Sequence, residues 1–344
     1  MTTRIAVPPA PYFEDLEVGA TVEDAPVVTL TEGTAAVHQS ILGWRLRLAL
    51  DRGLARAVTG EDGLLAHPSL VCDVAIGQST AVTQRVRANL FYRGLVLLRP
   101  VRIGDALRTT TTVEALRENR RREGRPATGL AELHMRTVDQ HDRPVLDFRR
   151  CAMLPLRPDA PPTGRQDAVD AVPEDLDEAA LRAVTTGWDL AAFRAASPHG
   201  AHAADLREGE RIEVVGGDVV SSAPELARLG MNVALVHHDR RGTGARPPRR
   251  LVYGGHTIGL AGAQLGRALP NLVTIVGWRR CDHVGPVFED DTLRSVVTIG
   301  ASTPLADGGA LVELHVDVTA DPLDDDAGGE PRHVLAWDLI GVMA

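Results

Sequence analysis

The densest grouping of side chains able to do chemistry is Asn232, His237, His238 and Asp239, followed by Tyr253, Gly254, Gly255, His256 and Thr257. A histidine can take up and return a proton near neutral pH. An asparagine amide can hold a water molecule. A Gly-Gly pair opening a helix brings bare backbone N–H groups to its positive end, where they can meet an oxygen that gains charge. These parts suit addition to, or elimination from, a carbon activated by a thioester. Gly255 N–H would polarise the carbonyl, His237 would move the proton, and Asn232 would orient water. Asp239 is the nearby carboxylate. The same residues also read as an ordinary loop in which Asp239 caps a turn, and their spacing does not decide between the two. His237, His238, Asp239, His256 and His283 show no HxxxH pair and no third ligand at a telling distance, so neither a metal nor another cofactor is expected.

The elements that must position these residues occur twice. Asp15 and Gly19 are matched by Asp205 and Gly209, 190 positions on (205 − 15). The segment Arg99-Pro100 to Asp105 is answered by Gly285-Pro286 to Asp291, 186 positions on (291 − 105). A nearly constant offset implies one duplicated unit. In the second copy, Ser222, Pro224 and Glu225 have the spacing of a helix start over 223–230. A loop with Gly242 and Gly244 follows. A long helix rich in small residues is predicted from about His256 to Leu269, ended by Pro270. Runs with strand alternation follow at 272–278, 291–300, 311–318 and 333–342, and in the first copy at 107–113, 129–138 and 145–156. Between the copies, 157–173 reads as a linker and 174–196 as helical, with the acidic stretch 321–330 a hairpin loop; all three read as solvated connections.

Composition narrows the class. The chain has 344 residues, 44% of them hydrophobic, enough for two cores. Its net charge of −9 argues against a nucleic-acid partner. No apolar run spans a membrane and no signal peptide is evident. Cys72, Cys151 and Cys281 are far apart, which fits a reducing cytoplasm. All 37 basic residues are arginine, so Schiff-base and P-loop chemistry are excluded.

The cluster resembles the signature of the MaoC-like R-specific enoyl-CoA hydratases, D-x-N-P-x-H-x-D followed by a helix that opens on a His-Gly step. His237 falls on the signature histidine, Asp239 on the trailing aspartate and Gly255 near the oxyanion glycine. Arg99 to Leu107 resembles the family's Arg-Pro-Val-x-x-Gly-Asp motif. Asn232 stands at the family's catalytic aspartate, and an asparagine cannot be a general base. Gly255-His256 reverses the His-Gly step, leaving Gly254, Gly255 or His256 as the oxyanion-side contact. The nearest branch is the long, two-hotdog enzymes similar to mesaconyl-CoA hydratase (β-methylmalyl-CoA dehydratase).

The resemblance implies an α+β double hotdog, with antiparallel sheets each wrapped around a long helix. It divides the chain into a degenerate hotdog at 1–156, a linker with a helical segment at 157–200 and a catalytic hotdog at 201–344. The implied reaction is reversible hydration of a 2-enoyl-CoA, with a short branched or dicarboxylic acyl group carried on CoA or an acyl carrier protein. At the 190 offset Arg47 would match His237 and Leu42 would match Asn232, so the first copy would serve packing and tunnel shape. Arg250, Arg279 and Arg280 would bind a CoA phosphate or substrate carboxylate; the alternative for each is a salt bridge, at a strand end for Arg279 and Arg280. A homodimer is expected. The competing readings are a hotdog thioesterase and a non-catalytic acyl-CoA-binding protein.

Overall fold

A computed structural model describes residues 10–344, apart from 170, 173, 198, 241–248, 307 and 323–329. The loop with Gly242 and Gly244, and most of the acidic loop after Asp321, lie outside the described residues.

In the first copy, short strands β1 (Thr21–Val22) and β2 (Val28–Thr29) lead into helices α1 (Glu32–Leu42), α2 (Arg52–Thr59) and α3 (Pro68–Gln78). Strands β3 (Ala88–Leu97), β4 (Ala106–Glu118), β5 (Thr128–Val138) and β6 (Pro144–Pro155) follow. Helices α4 (Glu178–Ala183) and α5 (Leu190–Ala196) lie in the connection. The second copy repeats the order with β7 (Arg211–Glu213), β8 (Asp218–Val219), α6 (Ala223–Leu229), α7 (Gly254–Ala268), β9 (Leu272–His283), β10 (Thr292–Pro304), β11 (Ala310–Asp321) and β12 (Arg332–Met343). Ser222 precedes α6 as expected, but in a left-handed conformation (φ 58°), and its side chain makes no capping bond.

All strands join one antiparallel sheet of mirrored order, β1-β4-β5-β6-β3-β9-β12-β11-β10-β7, with β2 and β8 paired to β4 and β10. The copies meet where β3 pairs with β9, Tyr92 opposite Cys281 and Val96 opposite Gly277. Burial alternates along β4, so one sheet face is apolar and turned to the core. That face curves around α3 and α7, which pack on each other. Both helices are buried along most of their length because Val71, Val74, Ala75, Leu260, Ala261 and Ala263 leave no polar stripe. Each helix is tied to its sheet by a glutamine in the same role. Gln78 Nε2 donates to Leu107 O and Gln264 Nε2 to Leu293 O, each at 2.9 Å. Among the described residues, no helix is long and apolar enough to cross a membrane.

The helical part of the connection is not solvated. Leu181, Val184, Trp188, Leu190 and Phe193 are buried in one cluster with Val273, Val276, Ile340 and Val342 of β9 and β12. These strands are apolar on both faces, and α4 and α5 cover the second face.

Candidate active site

A cavity of about 270 Å³ lies between the copies. The first copy lines it with Ile76, Thr80, Thr83, Asn89, Tyr92 and Arg150, among others. The second contributes Asn232, His237, Tyr253, Gly254, Thr257 and His283. Among the described residues, no aspartate or glutamate lines it.

His237 ends the single helical turn Leu235–His237. Its Nδ1 donates to Leu251 O at 3.1 Å, which leaves Nε2 deprotonated. The imidazole lies edge-on to Tyr253, ring centres 5.8 Å apart. Burial pushes its pKa down to about 4, against a weaker upward pull from the Leu251 carbonyl. His237 is therefore a neutral base at pH 7. Asn232 Oδ1 accepts the Ala234 N–H at 2.9 Å. This orients the amide, so Nδ2 can only donate, and it has no protein partner among the described residues. The turn is pinned from the other copy. Val233 N–H donates to Thr80 Oγ1 and Leu235 N–H to Gln84 O, each at 2.9 Å. His238 Nε2 closes the turn on Asn232 O at 2.7 Å.

Next to this turn, α7 begins with two N–H groups, of Gly254 and Gly255, that precede the first intrahelical donor, the His256 N–H on Tyr253 O. Tyr253 makes no capping bond to them. Gly254 lines the cavity. A Cβ there would stand 2.6 Å from His283 Nε2, so glycine is required by close approach. Gly255 sits one step deeper, against Asp73 and the Tyr253 ring. The Tyr253 hydroxyl is buried beside Asp73, and burial, with the Asp73 carboxylate adding to it, pushes its pKa well up.

The other candidate residues do not line the cavity. Asp239 is exposed at the end of the turn and is not part of the cavity wall. His256 is buried in the core with no partner on either ring nitrogen, instead of facing the cavity, because the helix carries it to the inner side of α7. Burial lowers its pKa to about 4. The three candidate arginines are held elsewhere. Arg250 pairs with Glu289, Arg279 with Glu313 and Arg280 with Asp338. The register of the copies also shifts. The turn Arg47–Ala49 repeats Leu235–His237, and left-handed Gly43 repeats left-handed Met231. The offset there is 188 (231 − 43), so Ala49 matches His237 and Trp44 matches Asn232. Farther on the offset is 186, since the bridge Leu65–Arg102 repeats Leu251–Phe288 (251 − 65).

Sequence reading missed Arg150, Tyr92 and His283 as cavity residues. Tyr92 and His283 lie on the two strands that join the copies, their rings edge-on at 5.8 Å. Burial lowers His283 to about 4. No local spacing marks these residues; only the pairing of β3 with β9 brings them together. Among the described residues, no three His, Cys, Asp or Glu side chains are grouped to hold a metal.

No family model matches the chain. It is 32% identical over 359 residues to the β-methylmalyl-CoA dehydratase of Chloroflexus aurantiacus, covering 97% of both proteins. It is 31% identical over 314 residues to the mesaconyl-CoA hydratase of Cereibacter sphaeroides, covering 87% of this chain and 85% of that one. Among solved structures, a conserved Mycobacterium tuberculosis protein with a double hotdog fold is 49% identical, with TM-score 0.87 and coverage of 97% and 99%. A MaoC domain dehydratase from Chloroflexus aurantiacus is 27% identical, with TM-score 0.83 and 99% of each chain covered.

Proposed function

The chain belongs to the MaoC-like double-hotdog acyl-CoA hydratases and dehydratases, and from that premise we propose that His237 is the base and acid of a reversible 2-enoyl-CoA hydration. One observation carries the assignment. A neutral imidazole with free Nε2, a donor-only amide and the uncapped N–H of Gly254 converge at one cavity, with the Gly255 N–H one step deeper. Asn232 Nδ2 donates to the attacking water and His237 Nε2 takes its proton. The hydroxide adds at Cβ. The electron pair moves through Cα to the thioester oxygen, where Gly254 and Gly255 N–H hold the charge. The imidazolium then protonates Cα, which completes addition of one water across the double bond. Dehydration is the reverse. The thioesterase alternative needs a carboxylate, and the cavity wall described here has none.

The acyl group is small, since about 270 Å³ lies below the usual range of ligand pockets, roughly 300–1,000 Å³. The names of the two curated relatives point to a branched C5 dicarboxylic group, mesaconyl or methylmalyl. The carrier is CoA. A groove of about 610 Å³ shares Val86, Arg87 and Val236 with the cavity and carries Arg85, Arg121, Arg122 and Arg125. Such a cluster suits the phosphates of a nucleotide, because guanidinium forks bind phosphate oxygens in pairs.

The test is hydration of a panel of crotonyl-, mesaconyl-, itaconyl- and longer enoyl-CoA esters, followed by loss of the conjugated thioester absorbance. Turnover of a short ester, with mesaconyl-CoA at or near the top, is the expected result. No turnover of any member by folded protein would overturn the reading.

A further inference from the structure

We infer that Arg150, contributed by the copy that lacks His237, binds a carboxylate on the acyl chain and makes this cavity prefer dicarboxylic over plain enoyl-CoA esters. The inference rests on the hydratase reading above, and it names a residue rather than a reaction.

Arg150 lies in the middle of β6 with its side chain turned to the core, 3% exposed. It lines the cavity. Its bonds all go to neutral acceptors. Nη2 donates to Ser79 O at 3.3 Å, Ser79 Oγ at 3.0 Å and Thr83 Oγ1 at 2.9 Å, and Nη1 reaches Asn89 Oδ1 at 3.4 Å. Nε is buried with no partner. No carboxylate among the described residues pairs with it, whereas the adjacent Arg149 is paired to Glu114 at 2.6 Å. Tyr92, Tyr253 and the adjacent Cys151 are the groups able to carry negative charge that act on it, and burial holds both tyrosines in the protonated form.

A guanidinium stays charged at any physiological pH. Taking one out of water without an anion is costly, and such groups are normally paired. Ser79 caps the C-terminal end of α3, so the negative end of that helix offsets part of the cost. The remainder is unmet, and the wall contains no acid to meet it. A carboxylate entering on the substrate would supply the missing charge and accept from the guanidinium N–H groups left without a close protein acceptor, at Nε and at Nη1, whose one bond is long. The placement also matches the proposed substrates. In a mesaconyl thioester the carboxylate sits on Cβ, the carbon to which water adds, so its binding site has to share the cavity with His237. Arg150 and His237 do share it, one from each copy.

The experiment compares mesaconyl-CoA with crotonyl-CoA in the wild-type enzyme and in Arg150→Met, reading the ratio of their kcat/KM values. Both substrates meet the same folded fraction, so a stability defect cancels in that ratio. The ratio is expected to fall by about 100-fold or more in Arg150→Met, the loss typical of removing one partner of a buried charge pair. A ratio within about threefold of wild type, a difference well under one decade of affinity, would overturn the inference. If Arg150→Met does not fold, the wild-type enzyme alone still decides. In direct calorimetric titration, unreactive succinyl-CoA should bind at least about tenfold more tightly than butyryl-CoA, and equal affinity would overturn the assignment. That binding arm needs no turnover. Failure of the hydratase reading, in which neither ester reacts, is therefore separate from failure of this one.

Discussion

The two copies make the same turn before the same buried helix, and only one leaves it open. In the second copy Met231 leads through Asn232 to His237, and α7 then starts on Gly254 and Gly255. In the first copy Gly43 leads through Trp44 to Ala49, and α3 starts on Pro68 and Ser69, the residues 186 positions before the two glycines. Pro68 has no N–H to offer. The Ser69 N–H is taken by His67 Nδ1 at 3.1 Å, and the Trp44 ring stacks on His67 at 4.4 Å. Both donors are thus closed within the protein, and an indole fills the place of the amide. Trp44 is held in turn by His38 Nδ1, whose Nε2 bonds Asp73. On the proposed mechanism the working copy would differ from the silent one chiefly in what caps this helix. The first copy is part of the same site, because Thr80 and Gln84 pin the Leu235–His237 turn and Arg150 lines the cavity.

Removing the base should break the contrast most. His237→Ala is expected to lower kcat/KM for hydration by about 10²–10⁴-fold, the usual contribution of a positioned acid–base group. Copying the silent cap onto α7 tests the second difference. In Tyr253→His the new ring stands where His67 stands and takes the Gly255 N–H. A fall in kcat of about 100-fold is expected, as for loss of one oxyanion donor, with circular dichroism unchanged. Unchanged kcat would remove that donor from the mechanism. Acid should act on the second copy through three buried imidazoles. His237, His256 and His283 are each lowered to about 4 by burial, so the folded state binds fewer protons than the unfolded chain between pH 6.5 and 4. Stability from these groups is complete above pH 6.5 and is lost as pH falls toward 4. The steepest slope should approach about 4 kcal/mol per pH unit, three protons' worth. Denaturant titrations at pH 7, 6 and 5 measure it, and a flat profile would place these imidazoles in water.

Much of this was legible in the sequence. The repeat, the buried helix and the strand alternation follow from small-residue runs and period-two patterns that packing enforces. Asn232, His237 and Gly254 were visible because their types are unusual together. Strand β3 was not visible, since register shifts at Asn89–Phe91 and Arg93–Val96 break its alternation. Arg150 was hidden for a related reason. Strand geometry turns one of Arg149 and Arg150 inward, but hydropathy assigns neither to a core. Arg279 and Arg280 looked equally suitable as anion sites, and their carboxylate partners come from neighbouring strands far along the chain. The first-copy counterparts were misplaced because loop lengths change the offset from 190 to 188 and then 186.

A crystal structure with bound succinyl-CoA tests the central claim most directly. The account predicts the thioester oxygen about 3 Å from the Gly254 or Gly255 N–H, with His237 Nε2 over Cα and Cβ. A thioester bound at the start of α3, or one distant from His237, would contradict it.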